Sequence, residues 1–325
     1  MYYNRKLTDS FSALIEPGGA LRWLFDFVKN HPDLDFQIGK NKAPEWISVY
    51  RGTTRIIKIQ KTNYPGRIVV EGALKYKAMY PTLFGSKSIS IDFHKELEEI
   101  LDLINADRTL DRYYNNKKEG YYQTALSRKY GLSGSPTDDF VIIDKEAVIG
   151  YLDKKEKAKL FGPFQQKYKI MQRDISDFNS EKFGQNLEKK AVGNELDFLA
   201  MDKEGNILLI EYKHGTNTSG IYLSPLQIGL YYDIFTGLPK KELSKAVFEM
   251  LAQKQKIGLI NPAWIKPSEI KDIIPVLIIS EYNYNSTAKV KFKEIMNFLR
   301  PRLNSEFLKT LRTFNFTLKS GLLPW

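Results

Sequence analysis

The sequence predicts a mixed α/β fold, of the α+β kind, in which a mixed central sheet is flanked by helices and preceded by a smaller N-terminal α+β module. Three observations predict it. Short segments rich in Ile, Val and aromatic residues lie between residues 35 and 72, two apolar runs flank a turn at 202–206, and helical and strand-like segments alternate from there to residue 300. This order of elements is typical of sheets that are covered by helices.

The N-terminal module, whose role the sequence does not indicate, is predicted over residues 1–108. Over 8–30 apolar residues recur at three and four positions, with a break at 17–19, which indicates one interrupted helix or two short ones. Residues 92–108 place apolar side chains on one helical stripe and predict a helix that closes the module. Between these helices an antiparallel meander is predicted over 35–40, 46–52, 54–60 and 66–72.

The second domain is predicted over residues 109–325. Its most informative stretch is 193–215, where two apolar strands flank a turn and form a hairpin. Further helices are predicted over 117–132, 223–236, 241–255 and 289–300. Further strands are predicted over 140–144, 167–175 and 275–280.

Composition excludes several kinds of chemistry. The 325 residues contain no cysteine and three histidines, which excludes disulfides, thiolate zinc sites, iron–sulfur clusters and cysteine nucleophiles and makes a histidine-based metal site improbable. No run of about 18 apolar residues occurs, so we expect no membrane span and no secretion signal, and a cytoplasmic location. The net charge of +11 and the pI near 9.3 favour a polyanionic partner, although solubility alone also explains such an excess.

The hairpin carries the residues with the clearest chemical meaning. Side chains alternate between the faces of a strand, so Glu211 and Lys213 share one face of the second strand, and Asp197 and Glu195 share one face of the first. Pairing of the strands brings Asp197 near Glu211 and Lys213. Two converging carboxylates can hold Mg²⁺ or Mn²⁺, and a neighbouring lysine can orient a water molecule or stabilise charge on a phosphate.

The pattern Asp197, thirteen residues, then Glu211-Tyr-Lys213 on adjacent hairpin strands resembles the PD-(D/E)XK nuclease superfamily, with Leu196 at the position of its usual proline. Gln227-x-x-x-Tyr231 follows on a predicted helix, which puts both side chains on one face. This element resembles the one that follows the lysine in the RecB-like branch of the superfamily. The resemblance covers roughly residues 117–235 and implies a restriction-endonuclease-like fold.

The resemblance also implies roles for these residues. Asp197 and Glu211 would bind Mg²⁺ or Mn²⁺, Lys213 would assist the attacking water, and Gln227 and Tyr231 would support the lysine or the substrate strand. The superfamily often adds an acidic residue from a helix before the sheet. We expect this third metal ligand to be Glu119, and the remaining candidates are Glu181, Glu188 and Asp144.

These patterns predict a metal-dependent nuclease that hydrolyses DNA phosphodiesters, with RNA as an alternative substrate and a homodimer or a partner protein as further expected associations. By analogy with the superfamily, a bacterial defence or repair setting would suit it. The alternatives are a cross-strand ion-pair ladder on a non-catalytic nucleic-acid-binding or assembly protein, and a protein-interaction scaffold. Aromatic and basic residues over 113–122 and 299–312 could stack bases or simply form helix faces. The basic residues of the meander could read DNA or bind a protein: Arg51, Arg55, Lys58 and Lys61.

Overall fold

A computed structural model describes residues 1–40, 44–106, 114–115, 118–183 and 195–325, the side chains of 178–183 excepted. The chain forms a mixed α/β structure with two sheets flanked by helices. It divides into two compact units. The first unit comprises Asn4–Asp144 and Ala246–Lys266, and the second comprises Met1–Tyr3, Lys145–Lys245 and Pro267–Trp325.

The first unit is built on a five-stranded antiparallel sheet in the order β1-β2-β3-β4-β5. Its strands are β1 (Asp35–Lys40), β2 (Glu45–Arg51), β3 (Thr54–Lys61), β4 (Arg67–Gly72) and β5 (Gly85–Ser88). Its helices are α1 (Asp9–Ser12), α2 (Arg22–Asn30), α3 (Leu74–Met79), α4 (Ile91–Ala106) and α5 (Glu119–Lys129). The predicted meander is confirmed. The helix predicted over 92–108 is confirmed as far as residue 106, and residues 107 and 108 lie outside the described residues. The strand β5 was not predicted, because its sequence GSKS contains no apolar residue.

The helix α5 explains why the first unit extends beyond residue 108. Its side chains bond to backbone and side chains of the meander: Thr124 Oγ1 accepts from the N–H of Gly52 at 3.1 Å, and Gln37 donates to Ser127 Oγ at 3.2 Å. Arg128 donates to three backbone carbonyls between Val28 and Leu34. The predicted division at 108/109 therefore differs from the two compact units, since α5 completes the first.

Residues 246–266 return to the first unit from much later in the chain. The side chain of Gln253 bonds both backbone groups of Leu7, accepting at 2.8 Å and donating at 3.0 Å. The indole of Trp264, which is 1% exposed, donates to the carbonyl of Asp138 at 3.0 Å. These are long-range contacts, so composition along the chain does not reveal that this segment belongs with the N-terminal part.

A buried cluster of charges lies inside the first unit. Arg5 and Asp144 form an ion pair at 2.9 Å between Nε and Oδ2, and both are almost fully buried. Lys254, 3% exposed, is within the electrostatic influence of Asp144, Asp35 and Arg5. Burial lowers the pKa of Lys254 to about 8, while the two carboxylates partly oppose that shift.

The lowered pKa of Lys254 predicts a specific pH dependence of stability. Between pH 8 and 10.5 the unfolded chain retains a proton that the folded protein releases, so this lysine makes the free energy of unfolding rise with pH across that window. In urea unfolding, the free energy of unfolding of the wild type relative to that of Lys254→Met should therefore rise by about 3 kcal/mol from pH 7.5 to 10.5.

The control is Lys256→Met on the same helix, where the lysine is exposed and pairs with Glu16 at 2.8 Å. It should show no such slope. Parallel curves for wild type and Lys254→Met would contradict the prediction, and NMR titration of the lysine side chains in the wild-type protein would check the pKa directly.

The second unit is built on a six-stranded sheet in the order β11-β10-β9-β8-β7-β6. Its strands are β7 (Leu196–Asp202), β8 (Ile207–His214), β9 (Ile273–Ser280), β10 (Arg312–Thr317) and β11 (Gly321–Pro324), and β6 (Phe140–Ala147) passes from the first unit to this one. Its helices are α6 (Lys154–Leu160), α7 (Gly162–Phe183), α8 (Thr218–Thr236), α10 (Ala288–Leu299) and α11 (Ser305–Thr310), and α9 (Lys240–Ile257) passes from this unit to the first.

The centre of this sheet is mixed in polarity. The strands β7 and β8 form the predicted antiparallel hairpin, whereas β8, β9 and β10 run parallel. Every residue of β8 is buried, which is typical of a strand that is covered on both faces. The helix α8 packs on β8 and β9 and contacts α7 and α10.

The strand that the sequence predicted over 167–175 is wrong: these residues belong to α7. The buried positions are Tyr168, Met171, Gln172, Ile175 and Ser176. Their spacing of three and four residues is that of one helical face. The helices predicted over 223–236, 241–255 and 289–300 are confirmed as α8, α9 and α10.

Among the residues with described positions, we find no helix whose length and apolar character would allow it to span a membrane.

Candidate active site

The hairpin of β7 and β8 brings Asp197, Glu211 and Lys213 together. Phe198 pairs with Ile210, so continuing this register sets Asp197 opposite Glu211. The backbone N–H of Tyr212 donates to Asp197 Oδ2 at 2.7 Å, and the ammonium of Lys213 lies 3.9 Å from the same oxygen. Lys213 also donates to Glu211 Oε1 and, at 3.1 Å, to the carbonyl of Tyr212. One lysine therefore contacts both carboxylates.

Burial gives this cluster its electrostatic character. The side chain of Glu211 is 2% exposed and that of Lys213 is 10% exposed, whereas Asp197 is 24% exposed and opens to solvent. Burial raises the pKa of Asp197, and Lys213 and the N–H of Tyr212 oppose the rise. Mutual attraction between buried groups of opposite sign is strong here because little water screens them.

Tyr231 connects the helix α8 to this cluster. Its hydroxyl donates to the carbonyl of Glu195 at 2.5 Å, and the residue is 3% exposed. Burial raises the pKa of Tyr231, and the negative charges of Glu211, Asp197 and Glu195 raise it further. At Tyr231, therefore, the predicted face of the helix is turned toward the carboxylates. Gln227 lies one turn earlier on α8 and is half-buried, and its supporting role stays a prediction.

A tight turn sets the distance between Lys213 and α8. The N–H of Gly215 donates to the carbonyl of Ser280 at 2.7 Å, and a Cβ at Gly215 would lie 2.2 Å from the carbonyl oxygen of Glu281. Only glycine fits there. Asn217 then caps α8 by accepting from the N–H of Gly220 at 3.0 Å. The helix therefore starts within one turn of the strand that carries Lys213.

The donor set of the cluster suits a hard divalent cation. Mg²⁺ is commonly held by one or two carboxylates, with water and phosphate oxygens completing its coordination, and Asp197 and Glu211 supply such a pair. Among the described residues, no group of three or more histidine or acidic side chains is arranged to hold a metal ion. The expected ligation by the pair stays a prediction.

The expected third ligand, Glu119, opens α5 in the first unit and is half-buried. Its role as a ligand also stays a prediction. Of the remaining candidates, Asp144 is engaged in the buried pair with Arg5. Glu181 belongs to α7, in the part whose side chains are not described, and Glu188 lies outside the described residues.

Two charged residues near Asp197 were missed by sequence reasoning. Lys145 and Glu146, at the end of β6, both act on the carboxyl of Asp197: Lys145 lowers its pKa and Glu146 raises it. Glu146 has a φ of 54°, in the left-handed region that favours glycine. The sequence feature that could have identified these two residues is the run of three charges, Asp144 to Glu146, at the end of an apolar strand.

The basic and aromatic segments are engaged within the fold. Arg51 is buried with its guanidinium 5.0 Å from the ring centroid of Tyr114, and Lys61 lies 3.7 Å from Glu45. In 299–312, Phe307 is buried and Arg302 pairs with Asp174 at 2.7 Å. These contacts favour the structural interpretation of these particular residues.

A scan against models of protein families, a search of curated proteins and a search of solved structures each found no match to this chain. The likeness to the nuclease superfamily therefore rests on the hairpin and helix motif that carries Asp197, Glu211, Lys213, Gln227 and Tyr231.

Breaking the Glu211–Lys213 pair should destabilise the protein strongly. Lys213→Met leaves the buried carboxylate of Glu211 without its ammonium partner and should lower the free energy of unfolding by about 3 kcal/mol. The double variant Glu211→Gln/Lys213→Met should be more stable than the sum of the single changes predicts, by about 2 kcal/mol. Urea unfolding of all four proteins gives this coupling.

The control cycle uses Glu306 and Lys309, which also form a close pair, at 2.7 Å, but on the exposed helix α11. It should give no measurable coupling, because solvent screens that pair. Equal coupling in the two cycles would contradict the importance of burial at Lys213.

Proposed function

We propose that this protein is a metal-dependent nuclease that hydrolyses phosphodiester bonds of DNA at the cluster of Asp197, Glu211 and Lys213. The observation that supports it most is the contact of one buried lysine with two carboxylates on adjacent strands, beside Tyr231. Burying the ionised groups of Glu211 and Lys213 on a central hairpin is unfavourable unless they are paired, and the partial exposure of Asp197 leaves the cluster accessible.

Each residue has a chemical task in this proposal. Asp197 and Glu211 would hold the cation, which when bound would supply charge for the phosphate and acidify a water molecule. Lys213 keeps the two carboxylates close together and would orient the attacking water. Tyr231 fixes the start of β7 through the carbonyl of Glu195, which positions Asp197. The chain's net charge of +11 would assist association with the polyanionic substrate.

Cleavage of plasmid and single-stranded DNA with Mg²⁺ or Mn²⁺ tests the proposal. Asp197→Ala and Lys213→Ala should each lower the cleavage rate by about 100-fold or more, since each removes a group that acts on the reacting phosphate or water. Folding of both variants is checked by circular dichroism.

The matched control is Glu204→Gln, which removes a carboxylate from the turn at the other end of the same hairpin. It should cleave like wild type. Wild-type rates in Asp197→Ala and Lys213→Ala would exclude the cluster as the active site.

A second candidate is a non-catalytic nucleic-acid-binding or assembly protein. One observation favours it: Lys213 pairs with Glu211 and lies 3.9 Å from Asp197, which is also the arrangement of a structural ion-pair network. Calorimetry with Mn²⁺ separates the two. Binding that is lost in Asp197→Asn supports the nuclease, whereas salt-dependent DNA binding without Mn²⁺ binding supports the second candidate.

A further inference from the structure

Positive charge is concentrated in one part of the first unit. Residues 54–88, which contain β3, β4, α3 and β5, carry seven lysines and arginines against one acidic residue. This segment is about a tenth of the chain, yet it holds six of the eleven excess positive charges. Solubility depends on net charge and does not require such a concentration. The distribution therefore favours a polyanionic partner at this part of the unit.

The strands β3, β4 and β5 separate apolar and polar side chains onto two faces. Ile57 and Ile59 of β3 share one face with Ile68 and Val70 of β4, and each of the four is at most 1% exposed. The opposite face, the outer face of this sheet, is in contact with solvent, as is common in antiparallel sheets. It presents six polar side chains that are all half-buried or exposed: Arg55, Lys58, Gln60, Arg67, Ser86 and Ser88.

A bulge places Arg55 on the outer face. Arg55 pairs with Tyr50 and Lys58 pairs with Ser48, because the register of β2 and β3 shifts between Val49 and Tyr50. Ser48 and Tyr50 are two residues apart and share a face, so Arg55 and Lys58 share that face as well. Burial lowers the pKa of Lys58, and the charge of Arg55 lowers it further. The two cations are therefore close neighbours.

The side chains of the outer face are those that commonly contact phosphates. Arginine, lysine, glutamine and serine all donate hydrogen bonds to phosphate oxygens. The one carboxylate in the three strands, Glu71, lies 3.6 Å from Lys58 and offsets its charge, so Arg55 and Arg67 carry the remaining charge of the face. Arg67 donates to Ser86 Oγ from Nε at 3.3 Å and from Nη2 at 3.1 Å, which holds its guanidinium across β4 and β5.

The composition of the outer face favours a duplex over a single strand or a lipid surface. Its only apolar side chain is that of Val69, and none of its residues is aromatic. Proteins hold single strands largely by stacking bases on aromatic rings, and interfacial anchors insert large apolar side chains into lipid. In a duplex the bases are already stacked and the phosphates face outward, so cationic and hydroxyl donors are sufficient for binding.

We infer that the outer face of β3, β4 and β5 binds the phosphate backbone of double-stranded DNA through Arg55 and Arg67, with the other polar residues of the face as further donors. The choice of DNA among polyanions rests on the proposed function. Contacts to phosphates carry no sequence information, so duplexes of any sequence should bind. Two such charges should make the logarithm of the binding constant fall by about 2 for each tenfold rise in salt concentration.

Binding without cleavage tests this inference. A short fluorescent DNA duplex is titrated in EDTA at several salt concentrations, and anisotropy gives the affinity. Arg55→Gln and Arg67→Gln should each weaken binding by about tenfold at about 0.1 M salt and reduce the salt slope by about 1, because each removes one phosphate contact. Arg55→Lys keeps the charge and should keep the slope.

The matched control is Arg173→Gln on α7, which makes the same change of charge at a side chain that is 65% exposed. It should bind the duplex with the affinity and slope of the wild type. Circular dichroism checks the folding of each variant. Ser88→Glu leaves both arginines in place and adds a negative charge at an exposed position opposite Arg67, so it should weaken binding as well.

The outcomes separate this inference from the proposed function. If Arg55→Gln and Arg67→Gln bind the duplex like Arg173→Gln, the binding role of the outer face is overturned, whether or not DNA is cleaved. Tighter binding of a single strand than of the duplex overturns it too, as does binding to vesicles of anionic phospholipid in place of the duplex. Loss of affinity and slope in these variants, without cleavage by the wild type under Mg²⁺ or Mn²⁺, supports the outer face and overturns the nuclease.

Discussion

The turn between β7 and β8 sets the register of the hairpin, and with it the meeting of Asp197, Glu211 and Lys213. Asp202 Oδ1 accepts from the N–H groups of Glu204 at 3.0 Å and Asn206 at 2.8 Å. Gly205 has a φ of 95°, a backbone conformation that residues with a side chain rarely adopt. Because side chains alternate along a strand, a slip by one residue would turn Glu211 and Lys213 to the opposite face. The polar turn thus determines the chemistry at the far end of the hairpin.

Burial of charge alone does not mark the site, since the first unit buries its own charged cluster. There Arg5 and Asp144 are 4% and 1% exposed, and Lys254 is also buried. Those groups lie in a closed interior. At the hairpin, by contrast, Asp197 keeps a quarter of its side-chain surface in solvent. Access, rather than burial, distinguishes a site that can act on a ligand from a group that stabilises a fold.

The hairpin, the meander and most helices were predictable because each has a local pattern of apolar residues. The error over 167–175 has the same origin, since KYKIM alternates apolar and polar residues like a strand while its longer spacing fits a helix. Long-range facts have no such signal. The return of 246–266 to the first unit depends on contacts such as Gln253 with Leu7, and the approach of Lys145 and Glu146 to Asp197 depends on β6 lying beside β7.

Tyr231 explains why the helix that follows Lys213 matters as much as the hairpin itself. Its hydroxyl bonds to the carbonyl of Glu195, two residues before Asp197. The turn between β8 and α8 is tight, since a Cβ at Gly215 would lie 2.2 Å from the carbonyl oxygen of Glu281. The helix α8 is therefore tied to the backbone beside Asp197 through Tyr231, and at its start it follows closely on the strand that carries Lys213.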